Sequence, residues 1–424
     1  MNAFKNIIGY NDEKEQLYQI IDMFRNMEMY RNMGADIPAG ILISGDPGLG
    51  KTTLAKAFME ECNVDTYILK KRLSNGATIR EINTTFARAM ESCRPAIILI
   101  DDMDKFSESQ DKYVDDSVFV AIQAGIDSVK ENGNIIVVAT ANDISKFPES
   151  LLRSGRFDRQ IELMRPTPEE SREIIKYYLK DKNTAEHLNL DDVSKMISYR
   201  SCAELETILN ESAILATYKR KPHLDIDDIA KVYLGTSKED SFSCDMGEFE
   251  RIAIHEAGHA VVAEALKESS VGAVCIRSFI DARKSAGTTH LSYQFMRRPE
   301  NVMIALGGKA AVELFYEGRC GSGCNSDLHK AIHMLRDGIT SNATSGMAFL
   351  DTFSANSSPE YIQQIEAVVH SELERYMFLV RDILIKNRDF LMKVYERLKE
   401  KKYLLSSDIE NIRSTVNVTE FQIP

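Results

Sequence analysis

The segment Gly45-Asp-Pro-Gly-Leu-Gly-Lys-Thr52 constrains the fold more than any other part of the chain, because it matches the phosphate-binding pattern G-x-x-x-x-G-K-S/T. An apolar run ends just before it at Ile43, and a helical stretch begins just after it near Thr53. Glycines let such a loop wrap phosphates, and the helix start supplies positive potential. The predicted ATP-binding residues are Gly45, Asp46, Pro47, Gly48, Leu49, Gly50, Lys51 and Thr52, with Lys51 on the outer phosphates and Thr52 on Mg²⁺.

Continuous apolar runs continue downstream and alternate with helical stretches, which predicts a parallel sheet covered on both faces. The run Ala96–Ile100 ends in Asp101 and Asp102, so it delivers two carboxylates to the sheet edge where ligands bind in open α/β folds. Asp101 suits the magnesium shell and Asp102 the attacking water. A solvated turn is the commoner fate of two adjacent aspartates, but the strand and the upstream loop favour a catalytic role here.

With these features and two further segments, the sequence resembles the AAA+ ATPases. Ile136-Val-Val-Ala-Thr-Ala-Asn142 is similar to the strand that carries the family's polar sensor, and Leu151-Leu-Arg-Ser-Gly-Arg-Phe-Asp-Arg159 is similar to its arginine-rich segment. The resemblance implies that Asn142 orients the water or the γ-phosphate. It also implies that Arg153 and Arg156 are arginine fingers for a neighbouring subunit's nucleotide, which requires a ring. Asp102 replaces the family's usual Glu, and the shorter side chain is expected to slow hydrolysis.

A second motif, His255-Glu-Ala-Gly-His259, lies in a proline-free stretch with apolar residues at helical intervals. Residues i and i+4 share one helix face, so both imidazoles can hold one Zn²⁺ while Glu256 serves as general base. A catalytic zinc site needs a third protein ligand and an open position. The metzincin continuation after His259 is absent, and the spacing does not identify the third ligand.

Here the sequence resembles the FtsH family of AAA+ proteases, through Leu306-Gly-Gly-Lys-Ala-Ala-Val-Glu-Leu314 and Gly321-Ser-Gly-Cys-Asn-Ser-Asp-Leu328. The resemblance implies that Asp327 is the third zinc ligand. His329 and His333, spaced i, i+4 just downstream, are the rivals, and Asp327 is preferred to His329 on the resemblance. The chain lacks the family's transmembrane segments, so a soluble relative is expected. It also lacks an aromatic residue in the predicted pore loop between Leu69 and Gly76, where Leu73 is the sizeable apolar candidate.

Composition narrows the class of partner. The net charge of -12 comes without a long basic run, which disfavours nucleic acid. Apolar runs fall far short of the roughly 20 residues that span a bilayer, so we expect no direct membrane insertion and a cytoplasmic location. The seven scattered cysteines are expected to be reduced, and a metal site at Cys320 and Cys324 is only a weak alternative to a flexible loop.

The expected architecture has three parts. Residues 1–164 form an α/β P-loop AAA+ domain with a parallel sheet, 165–240 a helical lid and linker, and 241–424 a mainly α-helical zinc metallopeptidase domain. The expected activity is ATP-dependent zinc endopeptidase action on polypeptides by a homo-hexamer, with Zn²⁺, ATP and Mg²⁺. A nucleotide-dependent remodelling or scaffold protein with a structural zinc is the main alternative. A zinc peptidase that uses ATP only to assemble its ring is another.

Overall fold

The computed structural model describes residues 3–423 except 36, 73, 93, 108–116, 133, 237–245, 278–286, 317–323 and 343–358. Leu73, Cys320 and most of the predicted linker therefore lie outside the described residues. The chain divides into two compact units, 1–174 with 200–206, and 175–199 with 207–424. The three-part boundaries given above stay a prediction.

A five-stranded parallel sheet forms the centre of the first unit. Its strands run in the order β2-β3-β4-β1-β5, and every pairing is parallel. All residues of β3 and β4 are buried, which explains why these strands are continuous apolar runs in the sequence. The predicted α/β class is confirmed. The strands are β1 (Gly40–Gly45), β2 (Asp65–Leu69), β3 (Ala96–Ile100), β4 (Ile135–Ala141) and β5 (Arg159–Leu163).

Helices cover both faces of this sheet. Phe86 and Phe119 pack with one set of strand side chains, whereas Leu17 and Phe58 pack with the other set. The two apolar clusters cover the faces of the sheet. The loops at the carboxyl ends of the strands are left at its edge, where a site can form. The helices are α1 (Asn11–Arg25), α2 (Met27–Asn32), α3 (Lys51–Cys62), α4 (Asn75–Glu91) and α5 (Ser117–Asn132).

The region predicted as a lid is helical. Thr167 and Glu170 cap its first helix reciprocally, since each side chain accepts a hydrogen bond from the other residue's backbone N–H. The chain passes from one unit to the other within the first of these helices, just before the third helix, and again within the third helix. The helices are α6 (Pro168–Leu179), α7 (Leu190–Met196), α8 (Cys202–Tyr218) and α9 (Ile226–Leu234).

The rest of the second unit is mainly helical, as predicted. Its central helix α10 is buried along most of its described length and packs against α11. A small antiparallel sheet in the order β7-β6-β8 accompanies the helices and was not predicted. The elements are α10 (Met246–Leu266), β6 (Val271–Ile276), β7 (Gly287–Leu291), α11 (Arg298–Phe315), α12 (Asn325–Asn342), α13 (Pro359–Lys386), α14 (Arg388–Lys401), β8 (Tyr403–Leu405) and α15 (Ser406–Ser414).

The hydropathy of the helices bears on whether they could cross a membrane. Within the described ranges, none of the helices combines the length and the apolar character that a membrane crossing requires.

Candidate functional site

The predicted phosphate-binding loop lies between β1 and α3, the position that the sequence predicts. Gly50 has a φ of 90°, a left-handed conformation that favours glycine. α3 begins at Lys51, so the N–H groups of its first turn are aimed at the loop. Lys51 Nζ donates to the carbonyl oxygens of Gly45 and Asp46, both at 2.8 Å. The lysine therefore lies over the loop that would hold phosphates.

Residues outside the loop contact its remaining members. Pro47 is exposed, whereas the side chain of Leu49 is buried. Three polar contacts fix the loop, namely Arg165 Nε to Asp46 Oδ2 at 2.8 Å, the Tyr10 hydroxyl to the Leu49 carbonyl at 3.1 Å, and the Ala203 amide to the Gly48 carbonyl at 3.1 Å.

Asp101 and Thr52 meet at the carboxyl edge of the sheet. The Thr52 hydroxyl donates to Asp101 Oδ1 at 2.7 Å, and the Thr140 hydroxyl donates to the same oxygen at 2.7 Å. A hydroxyl and a carboxylate side by side are the oxygen ligands that P-loop proteins offer to Mg²⁺. The chemistry of this donor set therefore fits the predicted cofactor.

Asp102 and Asn142 lie beside this pair. Asp102 has a φ of 51°, and its Oδ2 pairs with Lys105 Nζ at 2.5 Å. The side-chain amide of Asn142 donates to Asp104 Oδ2 at 3.2 Å, and its backbone N–H donates to Asp104 Oδ1 at 3.1 Å. Burial lowers the pKa of Lys51, although the negative charges of Asp102 and Asp104 oppose that shift.

The two predicted arginine fingers differ in their surroundings. Arg156 is fixed within its own chain, because its guanidinium binds both carboxylate oxygens of Asp127 at 3.0 and 3.1 Å and also the Ser150 carbonyl at 2.7 Å. Arg153 is 74% exposed and lies 4.0 Å from the exposed carboxylate of Glu149. Of the two arginines, Arg153 is therefore the one that extends into solvent.

The second site joins α10 to α12. His255 and His259 lie one turn apart on α10, with their Nε2 atoms 3.0 Å from each other. Asp327, in the first turn of α12, places Oδ2 at 3.2 Å from His255 Nε2 and 3.5 Å from His259 Nε2. Among the described residues, His255, His259 and Asp327 form a group whose donor atoms lie close enough together to hold one metal ion.

The spacing of these donor atoms suits zinc. A tetrahedral Zn²⁺ with bonds of about 2.0 to 2.1 Å separates two of its donors by about 3.3 Å. The three distances of 3.0, 3.2 and 3.5 Å bracket that value. With three protein donors, a tetrahedral ion retains one position for water or substrate, as catalytic zinc sites do.

Neighbouring groups orient both imidazoles. His259 Nδ1 lies 2.6 Å from the Ile304 carbonyl, so it donates there and presents Nε2 as the ligand atom. His255 Nδ1 lies 3.7 Å from the Cys324 sulfur. A Cβ at Gly308 would come within 2.5 Å of the His255 ring, so a side chain at this position would displace the ring.

Electrostatics in the cluster favour a cation. Burial alone would raise the pKa of Asp327, but hydrogen bonds with His255 and His259 outweigh it and hold the pKa well below its usual value. Burial alone would lower the pKa of His259, but Asp327 and the charge of Glu256 raise it overall. The cluster thus stabilises positive charge at its centre, the place that a metal ion would take.

The alternative ligand lies elsewhere. His329 is exposed and does not belong to this cluster, and His333 pairs with Asp337 at 3.0 Å. The geometry therefore supports Asp327 as the third ligand.

Glu256, next to His255 on α10, is 5% exposed and faces β7. Its Oε2 accepts a hydrogen bond from the Thr289 hydroxyl at 2.9 Å. A buried carboxylate beside three metal donors is the arrangement expected of a general base.

Several residues of both sites were not predicted. Thr140 and Asp104 flank predicted residues closely in the sequence, so proximity to Asn142 and Asp102 was a usable signal. Thr289 and the Ile304 carbonyl come from separate elements, and only tertiary packing brings them to Glu256 and His259. Cys324, which the sequence offered only as a weak metal ligand together with Cys320, lies beside His255.

Family comparisons divide the chain in the same way. The family described as ATPase family associated with various cellular activities (AAA) matches residues 41–165. Peptidase family M41 matches residues 244–412. The first match contains the phosphate-binding loop and both arginines, and the second contains the histidines and Asp327.

Several relatives align with nearly the whole chain, and each is named ATP-dependent zinc metalloprotease FtsH. The protein of Ureaplasma parvum serovar 3 is 28% identical over 96% of this chain and 60% of its own length. That of Malacoplasma penetrans is 30% identical over 88% and 48%, and that of Caldicellulosiruptor bescii is 29% identical over 97% and 72%. The chain thus spans about three fifths of the first relative and about half of the second.

Proposed function

Because this chain carries an AAA ATPase domain followed by a peptidase family M41 domain, we propose that it is an ATP-dependent zinc endopeptidase acting on polypeptides. The observation that carries the proposal is the cluster of His255, His259 and Asp327 with Glu256 buried beside it. The relatives' printed name supports the same activity.

The roles of the peptidase residues follow from their positions. His255, His259 and Asp327 would hold the zinc ion, which would supply Lewis-acid polarisation of the scissile carbonyl. Glu256 accepts a proton from the attacking water and passes it to the leaving amine nitrogen. The orienting contact of His259 with the Ile304 carbonyl keeps its Nε2 available as a ligand.

The roles of the nucleotide-site residues follow in the same way. Lys51 would neutralise the outer phosphates of ATP, and Thr52 with Asp101 would hold Mg²⁺. Asp102 and Asn142 orient the attacking water, and Asp104 fixes the Asn142 amide for this purpose. Of the two predicted fingers, the exposed Arg153 is proposed to act in a homo-hexamer, in which each subunit completes its neighbour's site, whereas Arg156 would hold its own segment through Asp127.

The alternative functions make different use of the zinc site. A remodelling or scaffold protein with a structural zinc would need no general base, and structural sites close with four protein ligands. Within the described residues, the cluster has three possible ligands and a buried carboxylate adjacent to them. This arrangement favours an enzyme. The three-part division of the chain and its cytoplasmic location are retained as proposals.

The decisive experiment compares wild type with Glu256→Gln. We expect wild type to cleave an unstructured polypeptide with ATP, and a zinc chelator to stop cleavage while ATP hydrolysis continues. Glu256→Gln should keep zinc and ATPase activity but lose about a hundredfold or more of the cleavage rate, since it removes the proton acceptor and keeps the ligands. Cleavage by Glu256→Gln near the wild-type rate would refute the proposal.

A further inference from the structure

Strand β7 presents two alternate residues to the proposed general base. Side chains at i and i+2 of a strand point to the same face, so Gly287 and Thr289 both face Glu256. The Thr289 hydroxyl lies 2.9 Å from Glu256 Oε2. A Cβ at Gly287 would come within 2.6 Å of Glu256 Oε1, so the absence of a side chain there makes room for the carboxylate.

The Thr289 hydroxyl has two possible acceptors on the same residue. It lies 3.2 Å from the Glu256 backbone carbonyl and 2.9 Å from the carboxylate. A hydroxyl has one proton to donate, and a bond to a charged oxygen is the stronger of the two. The carboxylate is therefore the preferred acceptor. This contact fixes the position of Oε2 and thereby restricts rotation of the carboxylate.

The strand that carries Thr289 is itself fixed. It pairs with β6 through Thr288 opposite Cys275 and His290 opposite Ala273. Just beyond Thr289, the Ser198 hydroxyl donates to the Leu291 carbonyl at 3.2 Å, and the Tyr199 hydroxyl donates to the Ser292 carbonyl at 3.3 Å. Thr289 is thus held by the pairing with β6 and by the contacts just beyond it, and it can impose a fixed orientation on Glu256.

We propose that Thr289 is a positioning residue, which holds the carboxylate of Glu256 in the orientation in which it accepts a proton from the attacking water. The inference rests on the proposed peptidase function. Thr289 would not contact the substrate or the zinc ion, and its effect would pass through the orientation of Glu256. Its loss should therefore lower kcat while leaving KM, zinc binding and ATP hydrolysis unchanged.

The test uses the full chain and a fluorogenic peptide that needs no unfolding. Thr289→Val removes the hydroxyl at nearly constant volume and should lower kcat about tenfold or more, as loss of an orienting partner typically does, with KM within about twofold. Thr289→Ser keeps the hydroxyl and should retain most of the activity. Thr288→Val is the matched control, because its side chain points to the opposite face of the same strand.

The possible outcomes separate the two proposals. An inactive wild type would overturn the peptidase function and this inference with it. If wild type cleaves the peptide, the inference alone is overturned when Thr289→Val keeps the wild-type kcat, or when Thr289→Ser falls as far as Thr289→Val. A parallel loss of zinc, or an equal loss in Thr288→Val, would show a structural role and would also overturn it.

Discussion

At the scale of single residues, the metal cluster takes its donors from two helices, and each donor is held by a different kind of contact. α10 supplies both histidines and α12 supplies the carboxylate. Asp327 also lies 3.3 Å from the exposed Lys330, through the oxygen that does not face the imidazoles. The carboxylate is thus oriented with Oδ2 toward the histidines. Its removal should weaken zinc binding more than removal of a nearby exposed side chain.

Substitution of the third ligand tests this assignment. Asp327→Ala should lose bound zinc and lower peptide cleavage about a hundredfold or more, because only two donors remain. His329→Ala, two residues further along the same helix, is the matched control and should keep both. The measurement is zinc per chain after dialysis, with cleavage of an unstructured peptide alongside. Zinc retained by Asp327→Ala but lost by His329→Ala would transfer the role of third ligand to the histidine.

The part of the metal site that lies on a single helix was predictable from the sequence, and the part contributed by other elements was not. His255, Glu256 and His259 lie on one helix, where spacing translates directly into geometry. Asp327 lies on another helix, so only family resemblance indicated it. Thr289 gave no signal at all, since its role depends on a strand that packs against α10. Contacts that tertiary packing creates are therefore the part that sequence reasoning could not supply.

At the scale of elements, the edge formed by β3 and β4 organises the nucleotide site. Asp101 follows β3, and Thr140 within β4 donates to its carboxylate. The fold here was predictable because buried parallel strands are continuous apolar runs. The three-residue β8 and the polar β7 carry no such signal, so the small sheet of the second unit was not predicted.

The segment after β4 contains both predicted arginine fingers, and we expect them to contribute differently to ATP hydrolysis. Arg153→Ala should lower ATP hydrolysis by about a thousandfold while ATP binding persists, because an exposed guanidinium can reach a neighbouring subunit's phosphates. Arg156→Ala breaks the pair with Asp127, a partly exposed contact worth about 1 kcal/mol or less, and should reduce hydrolysis less. Steady-state ATPase rates and nucleotide titrations give the comparison.

Asp127→Asn is the matched control for Arg156. If Arg156 acts by holding its own segment, this variant should reproduce the modest effect of Arg156→Ala. A thousandfold loss in Arg156→Ala together with normal hydrolysis in Arg153→Ala would assign the finger to Arg156 instead.

At the scale of the whole molecule, a finger that acts in trans requires a closed ring of subunits. Arg153→Ala subunits retain an intact loop, and Lys51→Ala subunits lose nucleotide binding but retain the arginine. Mixed rings should therefore recover part of the ATPase rate that neither variant has alone. Rings shown to be mixed but still inactive would contradict a finger supplied by the neighbour and the ring that it implies.

The coupling of ATP hydrolysis to unfolding depends on the predicted pore loop, in which Leu73 lies outside the described residues. Two of the basic residues beside it have partners in their own chain. Lys71 donates to the Lys105 carbonyl, and Arg72 pairs with Glu81 at 3.1 Å. These contacts disfavour a role for Lys71 and Arg72 in gripping acidic segments of a substrate. The hydrophobic grip would then depend on Leu73 alone, and it should be weaker than that of an aromatic side chain because less apolar area is buried.

We therefore expect rapid ATP-dependent digestion of unfolded chains and slow digestion of stable domains. The measurement compares a tightly folded test protein with a destabilised variant of the same sequence length, each with and without ATP. Leu73→Ala should slow both digestions without changing cleavage of a short peptide, because the peptide reaches the zinc site without being pulled. Lys71→Ala is the control and should leave all rates unchanged. Equal digestion rates for the folded protein and its destabilised variant, unaffected by Leu73→Ala, would contradict a weak apolar grip as the limit on unfolding.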